Sequence, residues 1–126
     1  MILLHYTGMP TGAEALMRLT NPLSEVSAHY FVWEDGGILQ LVPEARRAWH
    51  AGASSWQGRS RCNDFSIGVE LQGTDALPYQ PAQYQALRRL RQAVQARFPI
   101  DSVVGHADIA PGRKTDPGAA FDWAQL

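Results

Sequence analysis

"SIGVELQ", residues 66–72, carries the alternation that decides the fold class. Its isoleucine, valine and leucine point to one face of a β-strand, and the residues between them, including Gly68 and Glu70, point to the other. The apolar face is suited to burial under a helix. A carboxylate on the second face costs burial energy unless it is hydrated or has partners. That face is therefore either solvated or the floor of a site into which Glu70 projects as a proton carrier.

Strand and helix signals alternate on both sides of this stretch. Pro81, at a first helical position, opens the longest segment of helical periodicity, which predicts a helix to about Phe98. The other predicted elements are, in chain order, a strand at 2–6, a helix at 12–19, a hairpin of 28–33 and 38–42 turning at 34–37, an irregular loop at 46–65 and a short strand at 102–105. Strands mixed with helices along one chain predict an α/β fold with one sheet covered by helices.

Composition bounds the class of protein. A chain of 126 residues with 45% hydrophobic residues makes one domain, residues 1–126, with a substantial core. No apolar stretch approaches the ~18 residues of a membrane span. A net charge of −1 without a basic stripe disfavours nucleic-acid binding. The N-terminus lacks a basic leader and a cleavage site, so we expect no signal peptide and a cytoplasmic location. The single cysteine, Cys62, cannot form an internal disulfide.

Four histidines raise the question of a metal site. His5 ends the first predicted strand, where capping a sheet edge is the more common role. His106 follows the last strand, and Asp116 lies ten residues later in a loop shaped by Pro and Gly. Two imidazoles and one carboxylate suit zinc and leave its fourth tetrahedral position open for water. The spacing is not a compact metal signature, so these residues alone are compatible with a metal site and with separate structural histidines.

The stretch "GHADIAPGRKTDPG", residues 105–118, contains the only lysine of a chain whose ten other basic residues are arginines. Attack of water on an amide carbonyl places negative charge on the oxygen, which a fixed cation stabilises. The ammonium of Lys114 is a compact point charge, whereas the planar guanidinium of arginine fits a carboxylate better. A role beside an oxyanion and a chance placement are both compatible with this position.

The predicted loop at 46–65 concentrates arginine and tryptophan. Its four arginines are Arg46, Arg47, Arg59 and Arg61, and they lie beside Trp49 and Trp56. These side chains form either a solvated surface or a rim that binds carboxylates and sugar faces, because guanidinium groups make bidentate pairs with carboxylates.

Several stretches together resemble a known family. "GHADIAPGRKTDPG", "RAWHAG" (47–52), "RCNDFSIGVELQGTD" (61–75) and "FDWAQL" (121–126) are similar to the zinc-dependent N-acetylmuramoyl-L-alanine amidases of the amidase-2 type. This group is related to phage amidases and to peptidoglycan recognition proteins. From Arg47 onward the chain is especially similar to the AmpD-like branch, which recycles anhydro-muropeptides in the cytosol. The resemblance covers nearly the whole chain and implies a central mixed β-sheet flanked by α-helices.

The resemblance implies roles for individual residues. His5, His106 and Asp116 match the zinc ligands of the family, with one Zn²⁺ per chain. Glu70 matches the catalytic glutamate of the AmpD-like branch, and Lys114 matches the lysine beside the metal. The expected activity is hydrolysis of the amide bond between N-acetylmuramic acid, or its 1,6-anhydro form, and L-alanine of the stem peptide, in peptidoglycan or muropeptides.

Substrate contacts are implied as well. Trp49 and Arg61 fall where the AmpD-like branch contacts its substrate, with Arg61 meeting a peptide carboxylate. His50, in "AWHAG", is predicted to line the substrate groove, and His29 is predicted to be a buried, hydrogen-bonded structural residue. We expect a monomer that inserts into no membrane and binds no nucleic acid.

Two other functions are compatible with the same fold and the same candidate site residues. A non-catalytic peptidoglycan-binding module has the same architecture, although such modules usually lack a complete ligand set. A zinc hydrolase of another amide would use the same residues. In addition, "LLHYTGMPTGAEAL" (3–16) and "EVSAHYFV" (25–32) resemble another subgroup, whose members often act in the envelope, so a phage-encoded or envelope-acting form stays an alternative.

Overall fold

Five strands form the central sheet of the computed structural model, which describes all 126 residues. In chain order the strands are β1 (Ile2–Tyr6), β2 (Tyr30–Val32), β3 (Ile38–Gln40), β4 (Ser55–Trp56), β5 (Arg59–Ser60), β6 (Ile67–Leu71) and β7 (Val103–Gly105). The sheet has the order β3-β2-β6-β1-β7, and β4 and β5 form a separate hairpin. β1, β2, β6 and β7 run parallel, whereas β3 is antiparallel to β2. The sheet is therefore mixed, which confirms the predicted fold class.

Three α-helices and three short 3₁₀ helices complete the fold. The α-helices are α1 (Gly12–Thr20), α2 (Pro81–Gln95) and α3 (His106–Ile109), and the 3₁₀ helices are Pro22–Ser24, Cys62–Asp64 and Trp123–Gln125. α1 begins where the hydroxyl of Thr11 accepts the backbone N–H of Glu14, at 3.2 Å. Pro81 occupies the first turn of α2, as predicted. None of these helices combines the length and the hydropathy that a membrane crossing needs.

Two predictions are wrong in detail. The long helix ends at Gln95 rather than near Phe98, because Pro99 disfavours helical geometry in the residue before it. The loop at 46–65 is not irregular throughout, since β4 and β5 pair across Gln57 and Gly58, which both have positive φ. That geometry is typical of a tight hairpin turn, in which glutamine is less common than asparagine or aspartate.

The apolar face of the sheet packs under α2. Its fully or largely buried aliphatic members are Ile2, Leu4, Val32, Ile67, Val69 and Leu71 from the strands and Leu87, Leu90 and Val94 from the helix. Burying each such side chain contributes about 1.5–3 kcal/mol. A slip of one residue in β6 would turn its whole apolar set away from α2, so this packing fixes the register of the sheet.

The opposite face is only partly covered. A smaller core, formed by Met1, Leu3, Ala51, Cys62, Val104 and Ile109, lies under the 46–65 loop and α3. Alternation in β1 places His5 on this face with Leu3, and the sheet register pairs His5 with Glu70 of β6. Since β1, β6 and β7 are parallel, their carboxyl ends meet at one edge of the sheet, where α/β folds bind ligands. The polar residues of this edge therefore gather beyond the small core.

Candidate active site

Three buried side chains converge where β1 and β7 end. His5 lies in β1, His106 is the first residue after β7, and Asp116 belongs to the loop that follows α3. Their exposed fractions are 2%, 4% and 5%. His5 Nδ1 lies 2.9 Å from His106 Nδ1 and 2.9 Å from Asp116 Oδ2, and His106 Nδ1 lies 3.1 Å from the same oxygen. All three candidate ligand atoms lie within 4.8 Å of one another.

Hydrogen bonds alone do not satisfy the two Nδ1 atoms and the Asp116 Oδ2 atom that meet in this cluster. If both imidazoles donate from Nδ1 to Asp116, their two N–H groups face each other across 2.9 Å. His106 Nε2 lies 3.0 Å from the carbonyl oxygen of Ala51, which can only accept, so the neutral ring carries its proton on Nε2 and its Nδ1 lone pair faces the cluster. Two imidazole nitrogens and a carboxylate oxygen are a donor set for a divalent cation such as zinc. The three residues fit a metal site.

The protonation states of His5 and Asp116 also suit the binding of a metal ion. Burial lowers the pKa of His5 more than the hydrogen bond to Asp116 raises it. Burial acts to raise the pKa of Asp116, but the neighbouring imidazoles of His106 and His5 outweigh it and lower that pKa. At neutral pH a neutral imidazole and an ionised carboxylate are therefore present, which are the forms that bind a cation.

Glu70 lies beside this cluster, half-buried on β6. Burial, followed by the negative charge of Asp116, raises the pKa of Glu70 to about 8, and the positive charge of Lys114 opposes this increase. A carboxyl group with a pKa near neutrality, located in a cleft, is suited to exchange protons with a bound molecule. A cation held by the cluster would lower this pKa by its charge.

The loop after α3 brings Lys114 to the rim of the same site. Lys114 is exposed, and its charge acts on both Glu70 and His5. The neighbouring guanidinium of Arg113 holds the loop by donating to the carbonyl oxygens of Ala51 and Ala53, at 2.9 and 2.6 Å. A loop tied to the fold in this way keeps the lysine near the cluster.

A second set of contacts holds the other side of that loop. The hydroxyl of Tyr6 lies 2.7 Å from Asp75 Oδ2 and 2.9 Å from Thr115 Oγ1, and the hydroxyl of Tyr79 donates to the carbonyl of Pro117 at 2.7 Å. These contacts and those of Arg113 could not be predicted, because a hydrogen bond between distant loops leaves no periodic signal in the sequence.

A cleft of about 450 Å³ opens over the cluster and contains Glu70 and Lys114 in its lining. α1 and the segments beside it form a wall that sequence analysis also missed. Its lining residues are Met9, Ala15, Arg18, Leu19 and Val26. The cleft thus joins an apolar wall and a basic rim to an inner end that carries the polar cluster.

The predicted substrate contacts fall in three different environments. Trp49 is 50% exposed and lines the cleft. His50 also lines it but is only 9% exposed, with Nδ1 at 3.0 Å from His5 Nε2. The side chain of Arg61 is 73% exposed, pairs with Asp64 at 3.1 Å and is not among the cleft-lining residues. The structure therefore brings Trp49 and His50 to the site and leaves Arg61 on the surface outside it.

His29 has the role that its sequence position suggested. It is 1% exposed, its Nε2 lies 2.9 Å from the carbonyl oxygen of Arg46, and its Nδ1 accepts the backbone N–H of Gly68 at 2.9 Å. Both ring nitrogens thus have backbone partners, and His29 joins β6 to the 46–65 loop.

Comparison with protein families then gives a clear match. The family model described as N-acetylmuramoyl-L-alanine amidase, Amidase_2, matches residues 1–119. The chain belongs to this family. The predicted resemblance is confirmed, and the buried cluster lies in the matched segment.

Individual relatives agree with the family. AmpD of Citrobacter freundii, a 1,6-anhydro-N-acetylmuramyl-L-alanine amidase, is 58% identical over 103 residues, which are 80% of this chain and 55% of the relative. The N-acetylmuramoyl-L-alanine amidase AmiD of Escherichia coli K12 is 43% identical over an alignment of 143 positions, covering 99% of this chain and 51% of the relative. The chain spans about half the length of these curated relatives.

Solved structures of the amidase family have the same fold. A selenomethionine derivative of AmpD has a TM-score of 0.86 and 46% identity, with 98% of this chain and 80% of that chain covered. AmiD from E. coli in complex with the substrate anhydro-N-acetylmuramic acid-L-Ala-D-gamma-Glu-L-Lys has a TM-score of 0.91 and 42% identity, with 98% of this chain and 54% of that chain covered.

Proposed function

We propose that this chain is a zinc-dependent N-acetylmuramoyl-L-alanine amidase. It hydrolyses the amide bond between N-acetylmuramic acid, or its 1,6-anhydro form, and L-alanine of the stem peptide. The observation that carries the proposal is the convergence of two imidazole nitrogens and one carboxylate oxygen within 4.8 Å, at the inner end of a cleft. Family membership and a relative in complex with an anhydromuramyl peptide support the choice of substrate.

His5, His106 and Asp116 would hold the zinc ion through Nδ1, Nδ1 and Oδ2. A zinc ion bound there supplies Lewis acidity that polarises the substrate carbonyl and makes an attacking water more acidic. The ionised Asp116 offsets part of the positive charge, and burial of all three ligands keeps their orientation fixed. Zinc is proposed from the donor set, which iron or cobalt could also use.

Glu70 is proposed as the general base and then the general acid. Its carboxylate accepts a proton from the attacking water and returns that proton to the amide nitrogen of the departing L-alanine. Its position on the sheet floor, in register with His5, supports this role. In the metal-free protein the pKa of about 8 keeps Glu70 mostly protonated at neutral pH, and the charge of a bound cation would lower that pKa so that the carboxylate can accept a proton.

Lys114 is proposed to stabilise the negative charge that develops on the carbonyl oxygen. The ammonium lies on the cleft rim, on a loop held by Arg113 and Thr115. A fixed donor aimed at an oxyanion contributes about 100-fold to 1,000-fold in rate in related chemistry. A single compact charge suits a single oxygen better than the guanidinium fork that this chain uses elsewhere.

Trp49 and Arg61 are proposed to contact the substrate further from the metal. The exposed indole of Trp49 offers a flat apolar surface for a sugar face. Arg61 would meet a stem-peptide carboxylate only if the ligand extends beyond the cleft, since its side chain lies outside the lining. We further propose that the enzyme is a monomer and that it acts in the cytoplasm, a location that the resemblance to the AmpD-like branch implies.

Product analysis tests the proposal. The zinc-loaded protein is incubated with an anhydro-muropeptide and with an ordinary muropeptide, and the products are separated and weighed by mass spectrometry. We expect the intact stem peptide and the free muramic sugar, with no product after zinc is removed. Unchanged substrate bound to the protein would indicate a binding module, and a cleaved peptide still joined to the sugar would indicate hydrolysis of another amide.

A further inference from the structure

His50 lies between a proposed zinc ligand and the floor of the sheet. Its Nδ1 is 3.0 Å from His5 Nε2, and its Nε2 is 3.4 Å from Ser66 Oγ. The hydroxyl of Ser66 donates to the carbonyl oxygen of Cys62 at 2.6 Å. The contacts form one line from the metal cluster to a backbone carbonyl, and only 9% of His50 is exposed.

The direction of each hydrogen bond in this line follows from its two ends. His5 presents Nδ1 to the cluster, so in its metal-binding neutral form the ring carries its proton on Nε2 and donates to His50 Nδ1. His50 then carries its own proton on Nε2, directed to Ser66 Oγ. Ser66 accepts there because its hydroxyl proton is already used on the Cys62 carbonyl. Every ring nitrogen has a partner of the matching kind.

The His50 ring packs directly against the backbone of Gly68. A Cβ built on Gly68 would lie 2.5 Å from His50 Cγ, so the ring occupies the space that the missing side chain leaves on β6. The side-chain oxygen of Asn63 accepts the backbone N–H groups of His50 and Ala51, at 3.0 and 2.8 Å. The carbonyl of Ala51 in turn is the partner of His106 Nε2. Asn63 therefore holds a dipeptide that contacts both imidazoles of the cluster.

We propose that His50 and the Ala51 carbonyl are positioning groups that orient His5 and His106 for metal binding, and that Asn63 anchors both. The inference rests on the metal centre of the proposed function. In this role the buried imidazole of His50 orients the proposed metal ligand His5 and does not contact the substrate. Outer hydrogen-bond partners of metal-binding histidines fix the tautomer and the ring orientation, and their loss weakens metal affinity by about 10-fold to 100-fold.

Zinc affinity, measured by competition with a chromophoric chelator, tests this inference independently of amidase activity. His50→Leu removes the acceptor for His5 and should weaken zinc binding by about 10-fold to 100-fold. His50→Asn places an amide oxygen near the former Nδ1 position and should recover most of that loss. The absorption spectrum of the cobalt-substituted protein should change in His50→Leu and return towards the wild-type spectrum in His50→Asn.

Asn63→Ala leaves the His50 side chain intact and tests the anchor, so the inference stays testable if His50→Leu does not fold. It should weaken zinc binding about 10-fold. Gln83→Leu is the matched control, because Gln83 is 1% exposed and donates to the Gln72 carbonyl at 2.9 Å outside the cleft lining. We expect it to reduce stability without changing zinc affinity.

The outcomes separate the two proposals. If the wild-type protein binds no zinc, or if His5→Ala binds it as well as the wild type does, the metal centre itself is wrong. If the wild type binds zinc through His5 but His50→Leu and Asn63→Ala keep its affinity and cobalt spectrum, the positioning role is overturned. An equal loss in His50→Asn and His50→Leu would overturn the role of the acceptor.

Discussion

Replacing Glu70 with Gln should stabilise the metal-free protein at alkaline pH. In the zinc-loaded protein the same substitution should reduce turnover. The substitution keeps the size of the side chain and removes only the ability to ionise. In the folded metal-free protein, burial and the charge of Asp116 raise the pKa of Glu70 from 4.5 to about 8. In the unfolded chain the carboxyl group is hydrated and keeps its ordinary pKa. Between pH 4.5 and about pH 8, Glu70 is therefore protonated in the folded state and ionised in the unfolded state.

The sign and size of the effect follow from that difference. Since the unfolded state binds fewer protons, the free energy of unfolding of the wild type falls as pH rises from about 4.5 through about 8. Each pKa unit corresponds to about 1.4 kcal/mol, so the limit is about 5 kcal/mol. Water in the open cleft screens part of this cost. We expect Glu70→Gln to be about 2 kcal/mol more stable than the wild type at pH 9 and equally stable at pH 4.

Urea unfolding of both proteins, prepared free of metal and measured from pH 4 to pH 9, provides the assay. Glu34→Gln is the control, because it makes the same chemical change at an exposed position outside the cleft lining. In the zinc-loaded protein, turnover of Glu70→Gln should fall by about 100-fold to 10,000-fold. A stability difference that stays constant over the pH range, or that favours the wild type at pH 9, would refute the burial argument.

Three further changes test other parts of the site. Lys114→Arg keeps the charge but should lower kcat by about 100-fold with a small change in KM, because the guanidinium fork does not replace a point donor; steady-state kinetics at near-normal kcat would exclude this role. Gly68→Ala should cost about 1–3 kcal/mol in unfolding free energy and weaken zinc binding, since the new methyl group would lie 2.5 Å from His50 Cγ; unfolding and chelator titrations measure the two effects. Asp116→Asn removes the charged ligand and should weaken zinc binding by more than the roughly 100-fold that an outer partner costs, as isothermal titration would show.

The sheet and its main helix could be predicted because their signals are local. The alternation in 66–72 and the helical spacing after Pro81 each report a buried face within a short stretch, and the structure contains both elements. The end of that helix could not be placed as well, because apolar Phe98 continues the pattern and still packs on the core after the helix has stopped. Periodicity reports burial, which a turn can also provide.

The cluster of His5, His106 and Asp116 could not be derived from spacing alone. His5 and Asp116 are 111 residues apart, and only the order of strands in the sheet makes β1 a neighbour of β7. The resemblance to a family named the three residues together, and the geometry brings them together. Their roles as ligands stay predictions until metal binding is measured.

Gly68 shows what sequence reasoning missed most clearly. From the sequence, the space above Gly68 on β6 is either solvated or part of a site. In the structure the ring of His50 fills it and contacts His5. An alternating pattern identifies the residues that face a site but not the loop that packs between them. The same limit applies to Arg113, whose contacts with Ala51 and Ala53 join two loops that are remote in sequence.

The two faces of the sheet divide stability and chemistry between them. α2 and its aliphatic residues bury the first face, and that packing fixes the register that pairs His5 with Glu70. The second face carries a smaller core. On this face His5 and His106 are held by hydrogen bonds to His50 and Ala51 of the 46–65 loop, and α2 does not cover them. A substitution in that loop can therefore disturb metal binding while the main core stays intact. This separation predicts that loss of zinc affinity and loss of global stability occur in different sets of variants, as the comparison of Asn63→Ala with Gln83→Leu would show.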